Sequence, residues 1–390
     1  MKRVLLIDYN VDKMGGVERV ICTLANSLLD YYDVQMCSVY KHSGAPYYDY
    51  DKRVGITYLI DNSRCLSTKM KSQLGFLLAR VPEKVIELTY YNARIREYVQ
   101  KSVIDKVDVV IFGRRASALD FLPYMDDFAG KIIVREANHY YYTDERERER
   151  LRRIFPNRVD TFILSSQENL EAYRRLFHDK AIRLRKLYNP IGISIGDSVV
   201  EREKSIIGVG RFSRQKGFEL LIEAYAIVHN EYPDWKLKLI GDGTYKQKYV
   251  KMCRKRGLSN CVEMYPSSTI VEEYQKAGIY VMTSRDEGYA NSLVEAMACG
   301  TPSISVDWVM GVREIVIDSV NGIIVPLKDR MKYFCSNDVE KEDIRNLADS
   351  ILCLIKDDIK RKVLGMNASA IVCGREKETI IKEWIGIIEE

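Results

Sequence analysis

The stretch "SRDEGYANSLVEAMACGTP", Ser284 to Pro302, decides how this chain folds. It continues the apolar run "GIYVMTS" (278–284), which reads as a buried strand, and passes through a loop opened by Gly288 into the helix-like "SLVEAMAC". Gly300 and Pro302 stop that helix, glycine because it ends helices cheaply and proline because it cannot continue one. Strand, glycine loop and helix make half of a βαβ unit. Glu287 then stands at the carboxyl end of a strand, where open α/β sheets bind their ligands. Glu295 lies three residues after Ser292, the spacing of a capping box in which a glutamate bonds the backbone of the cap. Capping gives Glu295 a purely structural alternative, and Glu287 has none.

The same texture extends outward on both sides. "SIIGVGRF", "KLKLIGDG", "CVEMYP" and "PSISVD" read as further short strands, with helices such as "GFELLIEAYAIVHNEY" between them. In the first half, "RVLLIDYN", "VDVVIFG" (107–113), "KIIVREA" (131–137) and "TFILSS" (161–166) form a second alternating series. Between the two series lies "NPIGISIGDSVVEREK", from residue 189, rich in Gly and Ser. The expectation is an α/β protein with a domain at 1–188, a second at 189–370, and a docking helix within 371–390. That last helix carries Ile380, Ile381, Trp384, Ile387 and Ile388 on one face.

Composition agrees with a folded, two-domain chain. Its 390 residues exceed the size of most single cores, and 46% hydrophobic with 29% charged residues is ordinary for a globular protein. The nine cysteines are odd in number and scattered, which fits reduced thiols in a cytoplasmic setting. No apolar run approaches the roughly 18 residues of a membrane span. Residues 1–188 hold 32 Lys and Arg against 25 Asp and Glu, the remainder 28 against 30, so the first half is basic and suits an anionic partner surface. The four histidines are far apart and show no ligand spacing, and "DYD" (49–51) is a weak acidic pair in a tyrosine-rich loop, so no metal site is expected.

Chemistry concentrates in "GVGRFSRQKGFELLIEAY" (208–225). A strand ends, Gly210 turns the chain, Arg211 and Lys216 follow, and Gly217 opens an amphipathic helix. Two cations beside a helix N-terminus suit an anion, since free N–H groups and the helix dipole already favour negative charge there. A phosphate or diphosphate is the natural ligand. Two solvated surface cations are the plain alternative.

"GRFSRQKGFELLIEAY", "LIGDGTYKQKY" and "SRDEGYANSLVEAMACGTPSISVDWVMGVREIVIDSVNGIIVP" together resemble the C-terminal domain of family 4 retaining glycosyltransferases, group 1 enzymes of the GT-B fold. "GGVERV" (15–20) is similar to that family's first-turn glycine pair, and "NPI" (189–191) to its interdomain linker. The resemblance is close over about 205–330. It implies two Rossmann-like, doubly wound domains facing each other across a cleft, with the acceptor in the first and the nucleotide-sugar in the second. Arg211 and Lys216 would hold the donor diphosphate and meet the charge of the departing nucleotide, and Glu287 would take donor-sugar hydroxyls. Glu295 would take the ribose. Asn291, Ser292 and Leu293 would add backbone amides, and Gly15, Gly16 and Asn189 would complete the donor site. Where many members carry a histidine directly after the first-domain glutamate, Ala137 stands here and His139 follows two residues on, as the candidate donor-sugar contact. The proline of the usual "GPxE" segment is replaced in "GVRE" (311–314).

The resemblance implies a metal-independent retaining transferase needing no cofactor. It would move a hexose or N-acetylhexosamine from a nucleotide-sugar, a UDP-sugar for preference, to a saccharide acceptor that is lipid-linked, in surface polysaccharide or lipopolysaccharide synthesis. A nucleotide-sugar epimerase on the same fold is the alternative reading. A dinucleotide oxidoreductase is excluded, because no G-x-G-x-x-G follows the first strand. A non-catalytic glycan-binding protein remains a third class, and no nucleic-acid module is present. "TKMKSQLGFLLARV" (68–81) reads as a basic amphipathic helix, either packed on the core with its lysines solvated or lying on an anionic bilayer, and the second option with the basic first half points to the inner face of the cytoplasmic membrane. "ERERERLRRIF" (145–155) reads as a helix laced by i,i+3 pairs such as Glu145 with Arg148.

Overall fold

The computed structural model of the protein describes residues 1–61, 83–191, 201–308 and 311–390. The amphipathic stretch 68–81 and most of the linker after Ile191 lie outside the described residues. The chain divides into two compact units, one of Met1–Ser165, Leu170–Pro190 and Glu378–Glu390, the other of Ser166–Asn169 and Ile191–Lys377.

The first unit holds strands β1 (Arg3–Asn10), β2 (Asp33–Lys41), β3 (Gly55–Asp61), β4 (Val109–Phe112), β5 (Lys131–Arg135), β6 (Thr161–Leu164) and β7 (Arg183–Lys186). They form one sheet in the order β3-β2-β1-β4-β5-β6-β7, every pair parallel. The centre is apolar because both faces are covered. "VVIF" of β4 and "TFIL" of β6 are buried at every residue, as a parallel sheet between helical layers requires. β7, "RLRK", alternates exposed and half-buried residues at the sheet edge, where charge discourages further pairing. That charge hides it from a search for apolar runs.

Helix Gly16–Leu28 follows β1 and buries Val20, Ile21, Leu24 and Leu28 at helical spacing. The final helix, Lys377–Glu389, belongs to this unit from Glu378 onward. Its Ile380, Ile381, Trp384, Ile387 and Ile388 join a core cluster with Val4, Leu6, Ile21 and Leu24. The Lys131 ammonium donates to the Ile387 carbonyl at 2.9 Å, a cation placed at the negative end of the helix dipole. Helix Glu145–Ile154 is capped by the Asp144 carboxylate, and Arg148 meets Glu145 at 3.7 Å. Other charges of this helix are met from outside it, Glu147 by Arg115 and Arg152 by Asp179, so the expected lacing is only partly intrahelical.

The second unit repeats the topology. Strands β8 (Ser205–Val209), β9 (Lys236–Ile240), β10 (Val262–Tyr265), β11 (Ile279–Met282), β12 (Ser303–Val306) and β13 (Ile323–Val325) lie in the order β10-β9-β8-β11-β12-β13, all parallel. In each sheet the order reverses beside the first strand, between β1 and β4 and between β8 and β11. Those are the two switch points where a ligand crevice opens. Among the described residues, no helix is long and apolar enough to cross a membrane.

Candidate active site

At the switch point of the second unit, two loops are laced together. After β8 the chain turns at Gly210, whose φ of 149° disfavours any side chain and where an added Cβ would lie 2.5 Å from Lys216 Cε. The bare glycine lets the Lys216 side chain fold across the turn. Arg211 follows it and is exposed, while Phe212 plunges into the core against Phe218 and Tyr249. Gly217 (φ 59°) then starts helix Phe218–Glu231, and a Cβ there would sit 2.2 Å from the Thr283 carbonyl oxygen. No other residue fits without moving the β11 loop.

That loop answers with its own contacts. Thr283 Oγ1 donates to the Lys216 carbonyl at 3.1 Å, the Arg285 amide to the Gln215 carbonyl at 2.7 Å, and Gln215 Nε2 to the Asp286 carbonyl at 3.1 Å. The result brings two predicted residues together. Lys216 Nζ lies 2.6 Å from Glu287 Oε1, with side-chain exposures of 16% and 10%. Ser284 Oγ also donates to Glu287 Oε1, at 2.6 Å. The carboxylate is thus aimed by two donors, and a lysine ammonium retains donors for a further acceptor because it carries three.

Glu295 is buried on helix Asn291–Ala298 and accepts from the Tyr274 hydroxyl at 3.3 Å. The capping box that the spacing allows does not form. Ala290 occupies the cap position with no side-chain bond, and Ser292, inside the helix, accepts from the Tyr280 hydroxyl at 3.0 Å. The Asn291 and Leu293 amides already donate to the Tyr289 and Ala290 carbonyls.

The first unit presents a different picture at its own switch point. Asp8, at the end of β1 and fully buried, is held bidentate by Arg114 at 2.5 and 2.7 Å, and Arg114 also reaches Glu18 at 3.0 Å. Burial opposes the charge on Arg114, but the two carboxylates outweigh it and raise the guanidinium above its ordinary value. Beside it, Asn189 Oδ1 accepts from Arg135 Nε and Nη2 at 3.3 and 2.8 Å. Burial pulls Arg135 down to about 10. Glu136 accepts from Arg115 and from the Tyr173 hydroxyl, both at 2.6 Å, and from the Asn138 amide at 2.8 Å. His139 is buried, edge-on to Tyr142 at 6.3 Å between ring centres. Gly15 caps the helix Gly16–Leu28, its amide and carbonyl both met by the Tyr48 hydroxyl at 3.3 and 3.1 Å. In "DYD", the Asp51 carboxylate is taken by Arg53.

Asp8, Glu18 and Arg114 escape a reading by local pattern because their partnership spans about a hundred residues. One signal was available: a charged residue inside the apolar β1 and another directly after β4.

The arrangement defines a class. Two parallel-sheet, Rossmann-like units in one chain match the GT-B fold. The pneumococcal O-GlcNAc transferase GtfA, solved with UDP and GlcNAc, superposes with a TM-score of 0.76 at 14% identity, covering 100% of this chain and 98% of that one. Residues 196–370 match the family model described as "Glycosyl transferases group 1", so this stretch carries a domain of that family. An exopolysaccharide phosphotransferase of Streptomyces coelicolor is 24% identical across the whole chain, which spans 41% of its length. The amylovoran biosynthesis glycosyltransferase AmsD of Erwinia amylovora is 25% identical over 81% of this chain and 84% of its own.

Proposed function

We propose that the protein is a retaining, metal-independent glycosyltransferase that moves a hexose or N-acetylhexosamine from a UDP-sugar to a lipid-linked glycan acceptor in surface polysaccharide or lipopolysaccharide synthesis. The observation that carries this reading is the Lys216–Glu287 pair, set by the glycine-shaped β8 loop laced to the β11 loop at their switch point. It lies inside the segment that matches the group 1 family. The exposed guanidinium of Arg211 and the Lys216 ammonium receive the diphosphate, and the negative charge that grows on the leaving nucleotide is met where it develops. Glu287, already held by Lys216 and Ser284, offers its remaining lone pairs to donor-sugar hydroxyls. Glu295 takes the ribose.

UDP as the nucleotide is supported by GtfA, whose structure holds it. A polysaccharide product is supported by AmsD, named for amylovoran biosynthesis. The epimerase alternative gains no support from these likenesses. The test is a thermal-shift screen with UDP, GDP and ADP, followed by UDP release from UDP-sugars with lipid-linked acceptors. A shift for UDP alone and acceptor-dependent release agree with the proposal. No shift for UDP, or sugar isomerised without release, contradicts it. The basic first half supports docking on the inner face of the cytoplasmic membrane, a placement refuted if vesicles of anionic lipid leave the chain in the soluble fraction on flotation.

A further inference from the structure

Two arginines in the loops that carry Lys216 and Glu287 turn away from that pair. Arg214 sends Nη2 to the Phe334 and Ser336 carbonyls at 2.5 and 2.9 Å and Nε to Asn337 Oδ1 at 2.9 Å. Arg285 is completely buried, and its Nη1 and Nη2 reach the Tyr333 and Asn337 carbonyls at 2.7 and 3.1 Å. Its guanidinium also lies over the Tyr333 ring, 4.3 Å from the centre. All these acceptors belong to the C-terminal end of one short helix, Arg330–Cys335, and the residues just past it. A helix end leaves carbonyls without partners and carries partial negative charge, so two cations are well placed there.

The lacing closes a ring. The Tyr333 hydroxyl donates to the Thr283 carbonyl at 2.7 Å, and burial pushes that phenol up, so it stays a donor. An added Cβ on Gly217 would sit 2.5 Å from the same hydroxyl. One helix end therefore touches the β8 loop through Arg214 and Gly217, and the β11 loop through Arg285 and Thr283. No carboxylate lies within ion-pair distance of Arg285 among the described residues, and its Nε makes no hydrogen bond. A buried cation without an acid is costly. Here its donors are used to hold backbone.

We propose that Arg214, Arg285 and Tyr333 are positioning residues: through the end of helix Arg330–Cys335 they hold the two loops in the register that sets Lys216 against Glu287. The inference rests on the transferase reading for its catalytic consequence, and on geometry alone for the clamp. A displacement of about 1 Å in a reacting constellation is enough to cost on the order of a hundredfold in rate.

The test compares wild type with Tyr333→Phe, Arg214→Met, Arg285→Met and Arg285→Lys. It reads amide hydrogen exchange over 213–217 and 283–288 and steady-state turnover of a UDP-sugar. Tyr333→Phe changes neither loop, yet exchange should rise about tenfold in both while helices Phe218–Glu231 and Lys341–Lys356 keep their protection. Turnover number should fall about tenfold or more with KM within about twofold, and Arg285→Lys should recover part of what Arg285→Met loses. If Arg285→Met fails to fold, Tyr333→Phe and Arg214→Met decide. Wild-type exchange in both loops together with wild-type turnover in those two variants overturns the clamp. If wild type turns over no nucleotide-sugar, the transferase reading fails, and the exchange measurement still decides the clamp.

Discussion

The two switch points of this molecule share a topology and arrange charge differently. In the first unit Asp8, Glu18 and Arg114 satisfy one another, and Asn189 closes on Arg135, so the charges there are spent on one another. In the second, Lys216 and Glu287 are likewise paired, with side-chain exposures of 16% and 10% against 22% for Arg114, and what differs is the exposed Arg211 on the same glycine-shaped loop as Lys216. A buried ion network of the first kind holds strand ends in place. Cations on a glycine-shaped loop can be handed to an anion that arrives later. A shared strand order therefore says where a ligand crevice opens, and the exposed cation beside the second one is why the proposed donor site is placed there.

Substitutions should separate the two. Lys216→Ala and Glu287→Gln are expected to lower turnover by about a thousandfold, or about 4 kcal/mol of transition-state stabilisation, and Lys216→Ala should lower stability less than Arg114→Met because Ser284 still donates to Glu287. Arg114→Met should act mainly on stability. It strands the buried Asp8 carboxylate and should cost about 3 kcal/mol of stability, read by urea unfolding of the full chain. A large loss of stability from Lys216→Ala, or an unchanged unfolding midpoint for Arg114→Met, would erase the contrast between the units.

Much of the second unit is legible in the sequence because its signals are local. β8, β11 and β12 are short apolar runs, and Gly210, Gly217 and Gly300 mark their turns. Lys216 and Glu287 lie at the ends of such runs, so the reading reaches them even though 71 residues separate them. Four strands were not legible. β2 and β3 mix exposed with buried positions, β7 is charged, and β13 has only three residues. The capping box at Ser292 and Glu295 was a reasonable local inference that tertiary contacts override: Tyr280 and Tyr274 claim the two side chains. Helix Arg330–Cys335 and its two arginines were invisible for a different reason. Their meaning lies in which carbonyls they meet, some fifty and a hundred and twenty residues away.

Calorimetric titration of the full chain with UDP and with uridine is the most direct test of the diphosphate grip. The account predicts that Arg211→Ala and Lys216→Ala each weaken UDP by about 10- to 100-fold and leave uridine unchanged, since a hydrogen bond to a charged group contributes roughly 1.5–3 kcal/mol. UDP bound as tightly by both variants as by wild type would contradict it.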